Sequence, residues 1–313
     1  MSMLINNNKA GPAGFAAHPR NWRNFRLVYP VVSRRSKGLS IGINLNPDRV
    51  CNFDCIYCEV ERPDFREGAG LVRLPPIGVI RPIVDLAQVR LELSQLLAMA
   101  RDGSIWREPE FADVPPPLQR LNDIAFSGDG EPTTYPKFPQ AVQLAIELRA
   151  TAGFASDAVK IVLITNATEL KRERVKAGLA WLDTANGEIW AKLDAGTPQY
   201  FALIDKTGFP YQRILQNILE TAQLRPINIQ TCMMRVDGVG PEATEVEAYC
   251  ERLQHILANG GQLKLVQLYT VARPPAQSRV SSLPDAELEV LAKVIHQKTG
   301  LSVETYYGTV GLT

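Results

Sequence analysis

No run of apolar residues in this 313-residue chain approaches the roughly 18 needed to cross a bilayer, so a membrane partner is not expected. Its opening, MSMLINNNKAGPAGF, lacks the charged-then-apolar order of a secretory signal. The expectation is a cytoplasmic chain whose thiols stay reduced. There is no low-complexity tract and no internal repeat. Histidine is scarce: His18, His255 and His296 stand alone, at no zinc-finger spacing. Cysteine is scarce too, with five in all and no pair of CxxC motifs to close a structural zinc site. Acidic side chains are missing altogether from residues 1–47, which carry Lys9, Arg20, Arg23, Arg26, Arg34, Arg35 and Lys37. Because the whole chain sums to +1, the remainder is mildly acidic, and the basic segment gives the molecule a direction.

What is present is hydrophobic content of 45%, enough for a large core. Residues 1–38, rich in Asn, Arg, Gly and Pro, read as a basic extension with little core of its own. Residues 39–313 read as the body. GLSIGINL (38–45) begins it as a buried strand. Residues 62–82, rich in Pro and Gly, read as an irregular or hairpin excursion. Beyond them, helical spacing alternates with short apolar runs. The expected helices cover 84–101, 138–150, 169–180, 211–224, 241–259 and 284–300. The expected strands cover 122–127, 159–165, 188–193, 227–234 and 262–271, with LSVETYY (301–307) as one more. VKIVLIT (159–165) is continuously apolar, as a strand covered on both faces requires. Such alternation predicts an α/β fold of parallel strands with crossover helices, an open or closed barrel. Ligands in such folds meet the loops after the strands.

The first of those loops holds VCNFDCIYCEVER (50–62), with Cys51, Cys55 and Cys58 spaced C-x3-C-x2-C. Thiolates are soft ligands that suit iron–sulfur clusters and zinc. Both ordinarily close with four protein ligands. Three leave one metal position open to a substrate or cofactor. The strand NDIAFS then runs into SGDGEPT (127–133), where Gly128 and Gly130 let backbone approach a ligand and Glu131 is an acceptor for a cationic amine. Read without a ligand, the same segment is a tight Gly/Asp turn.

CNFDCIYC resembles the cluster-binding motif of the radical S-adenosylmethionine superfamily, C-x3-C-x-aromatic-C. That resemblance implies a partial (β/α)6 TIM-like barrel. It implies that Cys51, Cys55 and Cys58 hold three irons of a [4Fe-4S] cluster, with S-adenosyl-L-methionine chelating the fourth iron. Reduction of that cluster would yield a 5′-deoxyadenosyl radical that abstracts hydrogen from a substrate. Tyr57 matches the aromatic position near the adenine. Gly128, Asp129, Gly130 and Glu131 match the segment that receives the methionyl amino group, with Asp129 where the family often has Gly. Thr165 and Asn166, ending VLITNAT, suit either a cofactor contact or a helix start, and Thr168 reads as that helix's N-cap. Lys192 and Asp194 share one strand face, either as an ion pair or as partners of the cofactor's carboxylate and ribose. Gln267 and Tyr269 are placed to flank adenine or substrate, Arg273 to bind an anion. Cys232 and Cys250 read as core.

With GINLNPDR and KLDAG added, the chain looks closest to the branch that holds the wyosine-forming tRNA enzymes and uncharacterised iron–sulfur oxidoreductases. The substrate does not follow from that likeness. The reading is an iron–sulfur radical S-adenosylmethionine enzyme that needs a reducing electron donor and an unidentified substrate. RNA modification by the same chemistry is one alternative. A zinc-stabilised nucleic-acid-binding protein without catalysis is the other. Residues 18–37, HPRNWRNFRLVYPVVSRRSK, interleave arginine with Trp22, Phe25 and Tyr29. They either pack on the barrel or hold unpaired RNA through phosphate contacts and stacking.

Overall fold

The computed structural model describes residues 22–60 and 84–308. Along the chain come β1 (Val28–Ser33), β2 (Gly38–Ile43), α1 (Leu86–Asp102), β3 (Leu121–Phe126), α2 (Phe138–Thr151), β4 (Lys160–Thr165), α3 (Glu173–Asp183), β5 (Gly187–Lys192), α4 (Pro198–Asp205), α5 (Tyr211–Leu224), β6 (Ile227–Cys232), β7 (Met234–Val236), α6 (Ala243–Ala258), β8 (Leu263–Tyr269), β9 (Val280–Ser282), α7 (Asp285–Thr299) and β10 (Val303–Tyr306). Eight strands form one sheet in the order β1-β2-β3-β4-β5-β6-β8-β10. From β2 to β10 every pairing is parallel, and only β1 runs antiparallel, against β2. The sheet curls into a half-barrel, the mixed α/β, partial TIM-like architecture that strand–helix alternation implies.

Burial follows the periodicity. β2 and β6 are buried at all six positions, as strands covered on both faces must be. Outward side chains meet the helices: Phe126 of β3 stacks edge-on against Phe138 of α2 at 5.7 Å between centroids. On α1, Leu93, Leu96 and Leu97 recur at helical spacing and are fully covered, each worth about 1.5–3 kcal/mol of apolar burial. Inside the curl, Ala125, Val162 and Trp190 form a separate small apolar cluster. The two edges of the sheet approach each other at one end, where Lys37, in the turn before β2, reaches Glu304 of β10 at 3.3 Å.

Several elements depart from the sequence reading. The sheet begins at Val28, ahead of the boundary drawn at residue 39. Within residues 22–38, Trp22, Leu27, Val28, Tyr29 and Val32 are buried. Residues 1–21 and the excursion expected at 62–82 lie outside the described residues. Helix α3 starts at Glu173 rather than 169, because Arg172 is extended, with φ −68° and ψ 132°, and the helix begins only after it. Thr168 is therefore not its N-cap, and its hydroxyl instead donates to Asn166 Oδ1 at 2.7 Å. Helix α4 was not foreseen. Its signal is Thr197-Pro198: the Thr197 hydroxyl accepts from Tyr200 N, and Pro198 occupies the first turn. The run 227–234 ends as a sheet strand at Cys232, and Met234 starts the separate β7–β9 ribbon.

Candidate active site

The loop after β2 carries the three cysteines, and all three are half-buried thiols outside any disulfide. Backbone pairing ties that loop to α4: Asp54 N donates to Asp205 O at 3.1 Å, and Ile56 N to Ile204 O at 2.9 Å. Phe53 N donates to Cys51 Sγ at 3.5 Å. A turn from Cys58 N to Cys55 O, 3.0 Å, sets the last two thiols side by side in the chain. The donor set, three soft sulfurs from one loop, suits an iron–sulfur cluster. Among the described residues no three His, Cys, Asp or Glu side chains gather round a single metal position.

The segment after β3 is fixed against the cysteine loop. Gly128 has φ 146°, and a Cβ there would lie 2.5 Å from Asn44 Oδ1, so only glycine fits. A Cβ on Gly130 would run into the carbonyl of Val50, next to Cys51. Asp129 and Asn44 pair reciprocally: Asn44 Nδ2 donates to Asp129 Oδ2 at 2.6 Å, and Asp129 N to Asn44 Oδ1 at 3.2 Å. The two glycines thus allow two loops to touch.

Glu131 is buried and accepts from Thr133 N and Oγ1, Thr165 Oγ1 at 2.7 Å and Asn166 N at 2.7 Å. Burial raises its carboxyl above the usual range, and these donors oppose the rise. Three of these donors converge on Oε1 and one reaches Oε2, so the carboxylate is largely engaged within the protein. Glu131 therefore braces β3 against β4. Asn166 joins the cysteine loop by donating to Asn52 Oδ1 at 2.6 Å, and Asn52 donates in turn to Thr168 Oγ1 at 2.8 Å.

Lys192, at the end of β5, is the electrostatic centre of the mouth. Its ammonium donates to Asp205 Oδ1 at 2.5 Å and to Cys55 Sγ at 2.8 Å, with Asp194 Oδ2 at 3.2 Å. It also lies over the rings of Phe53 and Tyr57 at 4.8 and 5.1 Å. Asp194 accepts from the Tyr57 hydroxyl and from Cys232 N at 2.7 Å. Burial pushes the Cys55 thiol well up, with Lys192 acting against the rise. It also pushes up the Tyr57 hydroxyl, and the neighbouring Asp194 carboxylate adds to that. So Tyr57, Lys192 and Asp194 come together with Cys55, as strand alternation suggests for the latter pair. Asp205, which completes the group, was missed because it ends the unforeseen α4. Gln267 stands apart, buried and accepting from Gln230 Nε2 at 2.9 Å.

Beside these loops the curl holds an open-mouthed cavity of about 300 Å³. Cys58, Tyr57, Gly128 and Gly130 line it from the loops after the strands, and Asp123, Trp190, Gln230 and Tyr306 line it from the strands themselves. Its side wall is the β1–β2 hairpin, including Arg34 and Arg35. Burial, with help from Arg35 and Arg273, lowers the Arg34 guanidinium to about 10. Arg35 lies over Tyr269 at 5.0 Å and Trp190 at 5.9 Å. Arg273 pairs with Glu59 at 2.7 Å. The basic segment thus turns two of its arginines toward the interior.

No family model matches the chain. It is 20% identical over 304 residues to the GTPase Obg of Brachyspira hyodysenteriae, covering 96% of this chain and 37% of that protein. It is 25% identical over 257 residues to a UPF0026 protein of Helicobacter pylori, covering 80% of this chain and 68% of that one. The chain therefore spans little more than a third of the first relative. Among solved structures, Streptococcus suis SuiB, bound to S-adenosylmethionine, superposes with a TM-score of 0.52 at 11% identity, over 88% of this chain and 52% of SuiB. That likeness is one of fold. Among the described residues no helix is long and apolar enough to cross a membrane.

Proposed function

We propose that the chain is a radical S-adenosylmethionine enzyme. The observation that carries this reading is the position of the C-x3-C-x2-C loop. It follows the first parallel strand of a half-barrel, it touches the Gly128–Glu131 loop, and Cys58 lines the cavity of the half-barrel. Cys51, Cys55 and Cys58 would hold a [4Fe-4S] cluster, leaving one iron for the cofactor. When bound and reduced, that cluster supplies the electron that cleaves the sulfonium and releases a radical able to take hydrogen from a C–H bond. The fold likeness to a protein solved with S-adenosylmethionine supports the assignment.

The chain's own residues have separable tasks. Lys192 places a positive charge against Cys55 and so favours the anionic sulfur a metal needs. The Gly128–Glu131 segment, braced by Glu131, is the part we assign to the methionyl amino group. Tyr57 is assigned to the adenine side, and Asp194 and Asn166 to the cofactor's polar edge. The curled sheet with its helices excludes water, which protects any reactive species formed inside.

Protein purified without oxygen is expected to be brown, with about four iron and four sulfide per chain. It should release 5′-deoxyadenosine from S-adenosylmethionine on reduction, and a Cys58→Ala variant should lose both properties. Colourless protein holding one zinc would refute the reading.

A further inference from the structure

The β1–β2 hairpin is a short antiparallel addition to an otherwise parallel sheet, and its turn brings two consecutive arginines to the cavity wall. Neither has a carboxylate partner among the described residues. The nearby acidic groups are engaged elsewhere: Glu59 with Arg273 at 2.7 Å, and Asp123 with the Ser40 hydroxyl. Arg34 Nη1 is buried with no hydrogen-bond partner. Arg149 shows what a structural arginine looks like in this fold. Its Nη1 donates to Val159 O and Ala185 O, both at 2.8 Å, and so joins β4 to β5. Arg34 makes no such link.

A guanidinium nitrogen that is buried with its donors unmet is costly, unless an anion meets it. Arg35 is held over the faces of Tyr269 and Trp190, an arrangement that fixes the plane of the guanidinium and leaves its edge for ligand. Arg34 and Arg35 are neighbours with Arg273 close by, so three positive charges face one cavity against Glu59 and Asp123. Guanidinium groups bind carboxylates and phosphates through paired N–H donors.

We infer that Arg34 and Arg35 form an anion-binding site inside the half-barrel, which takes the carboxylate or phosphate group of a small-molecule substrate. Naming it a substrate site rests on the enzymatic reading above. The anion site itself does not. A cavity of about 300 Å³ is at the small end for a ligand pocket, so the substrate is a compact anion. Cys58 lines the same cavity, so a molecule held by the arginines lies within the chamber that the cysteine loop closes. S-adenosylmethionine also carries a carboxylate, and the test separates these two sources.

The full chain, purified without oxygen, is titrated with inorganic phosphate and with malonate. Tryptophan fluorescence reads the binding, since Trp190 sits beneath Arg35, and thermal shift gives a second readout. Saturable binding of at least one anion is expected. Arg34→Gln and Arg35→Gln should each weaken it about tenfold or more. Arg23→Gln should leave it unchanged, because Arg23 pairs with Glu108 at 2.5 Å away from the cavity. Circular dichroism checks the fold, and Arg34→Lys and Arg35→Lys, which keep the charge, serve if a Gln variant does not fold. Equilibrium dialysis should find S-adenosylmethionine binding unaltered in Arg35→Gln. No saturable anion binding, or binding indifferent to both arginines, overturns the proposal. Equal loss of S-adenosylmethionine and phosphate affinity overturns it too, by giving the arginines to the cofactor. Arginine-dependent anion binding by a colourless, iron-free chain would instead keep the anion site and remove the enzymatic reading.

Discussion

Lys192 holds more of the site together than any residue of the cysteine loop. Its ammonium is the counter-charge for two buried carboxylates, Asp194 and Asp205, and for the Cys55 sulfur. Removing one member of such a group leaves the others buried and uncompensated. Lys192→Met should therefore destabilise the chain by about 3–5 kcal/mol, measured by urea denaturation. Removal of an exposed cation such as Arg90, whose partner Glu147 is equally exposed, should leave the urea midpoint essentially unchanged. The sequence makes the Lys192–Asp194 pair legible through strand alternation. It hides the third member, because Asp205 lies on a helix only eight residues long. Glu131 shows the opposite case. Its place after a glycine-rich turn reads as a ligand acceptor, but the hydroxyls of Thr133 and Thr165 that occupy it come from different elements.

At the scale of elements, two buried glutamates fasten pieces whose position the site depends on. Glu92 of α1 accepts from the backbone of Arg26 at 3.0 Å and of Leu27 and Val28, both at 2.8 Å, so it anchors the entry to β1. Glu92→Ala leaves three amide donors without that acceptor and should cost about 3 kcal/mol. Hydrogen exchange should show the loss first at Leu27 and Val28. Glu245 of α6 accepts from Gly196 N and from Thr197 N and Oγ1, which holds the start of α4. Burial raises its carboxyl above the ordinary value of 4.5. The folded state then binds the proton more tightly than the unfolded one, so this group's contribution to stability falls as pH rises through that window. Relative to Glu245→Gln, the native chain should gain stability as pH is lowered from 7 toward 4.5, measured by chemical denaturation at each pH.

The same scale explains what the sequence shows of the fold. Periods of two and 3.6 expose the parallel strands and their helices, because covered strands read as apolar runs. β1 is hidden by Pro30, which interrupts VYPVVS and lacks a donor, and which an edge strand tolerates. The place of the cysteine loop after the first parallel strand is legible, since the motif and the strand before it are adjacent in sequence. The β1–β2 hairpin's role as a cavity wall is not, since it arises only when the sheet curls.

For the whole molecule, one continuous apolar core runs from Trp22 through Leu39, Phe126, Leu179 and Ile229 to Leu301. Elements from both ends of the described chain share it, so they should melt together. Far-ultraviolet circular dichroism and tryptophan fluorescence should give coincident unfolding curves, and an early separate transition would show the N-terminal strand to be detachable. The contact between Lys37 and Glu304 adds a matter of timing. A ribosome releases the thiol-bearing loop well before the strand that holds Glu304. Until that strand emerges Lys37 has no Glu304 to pair with, so this seam of the half-barrel forms only after the cysteine loop has been made.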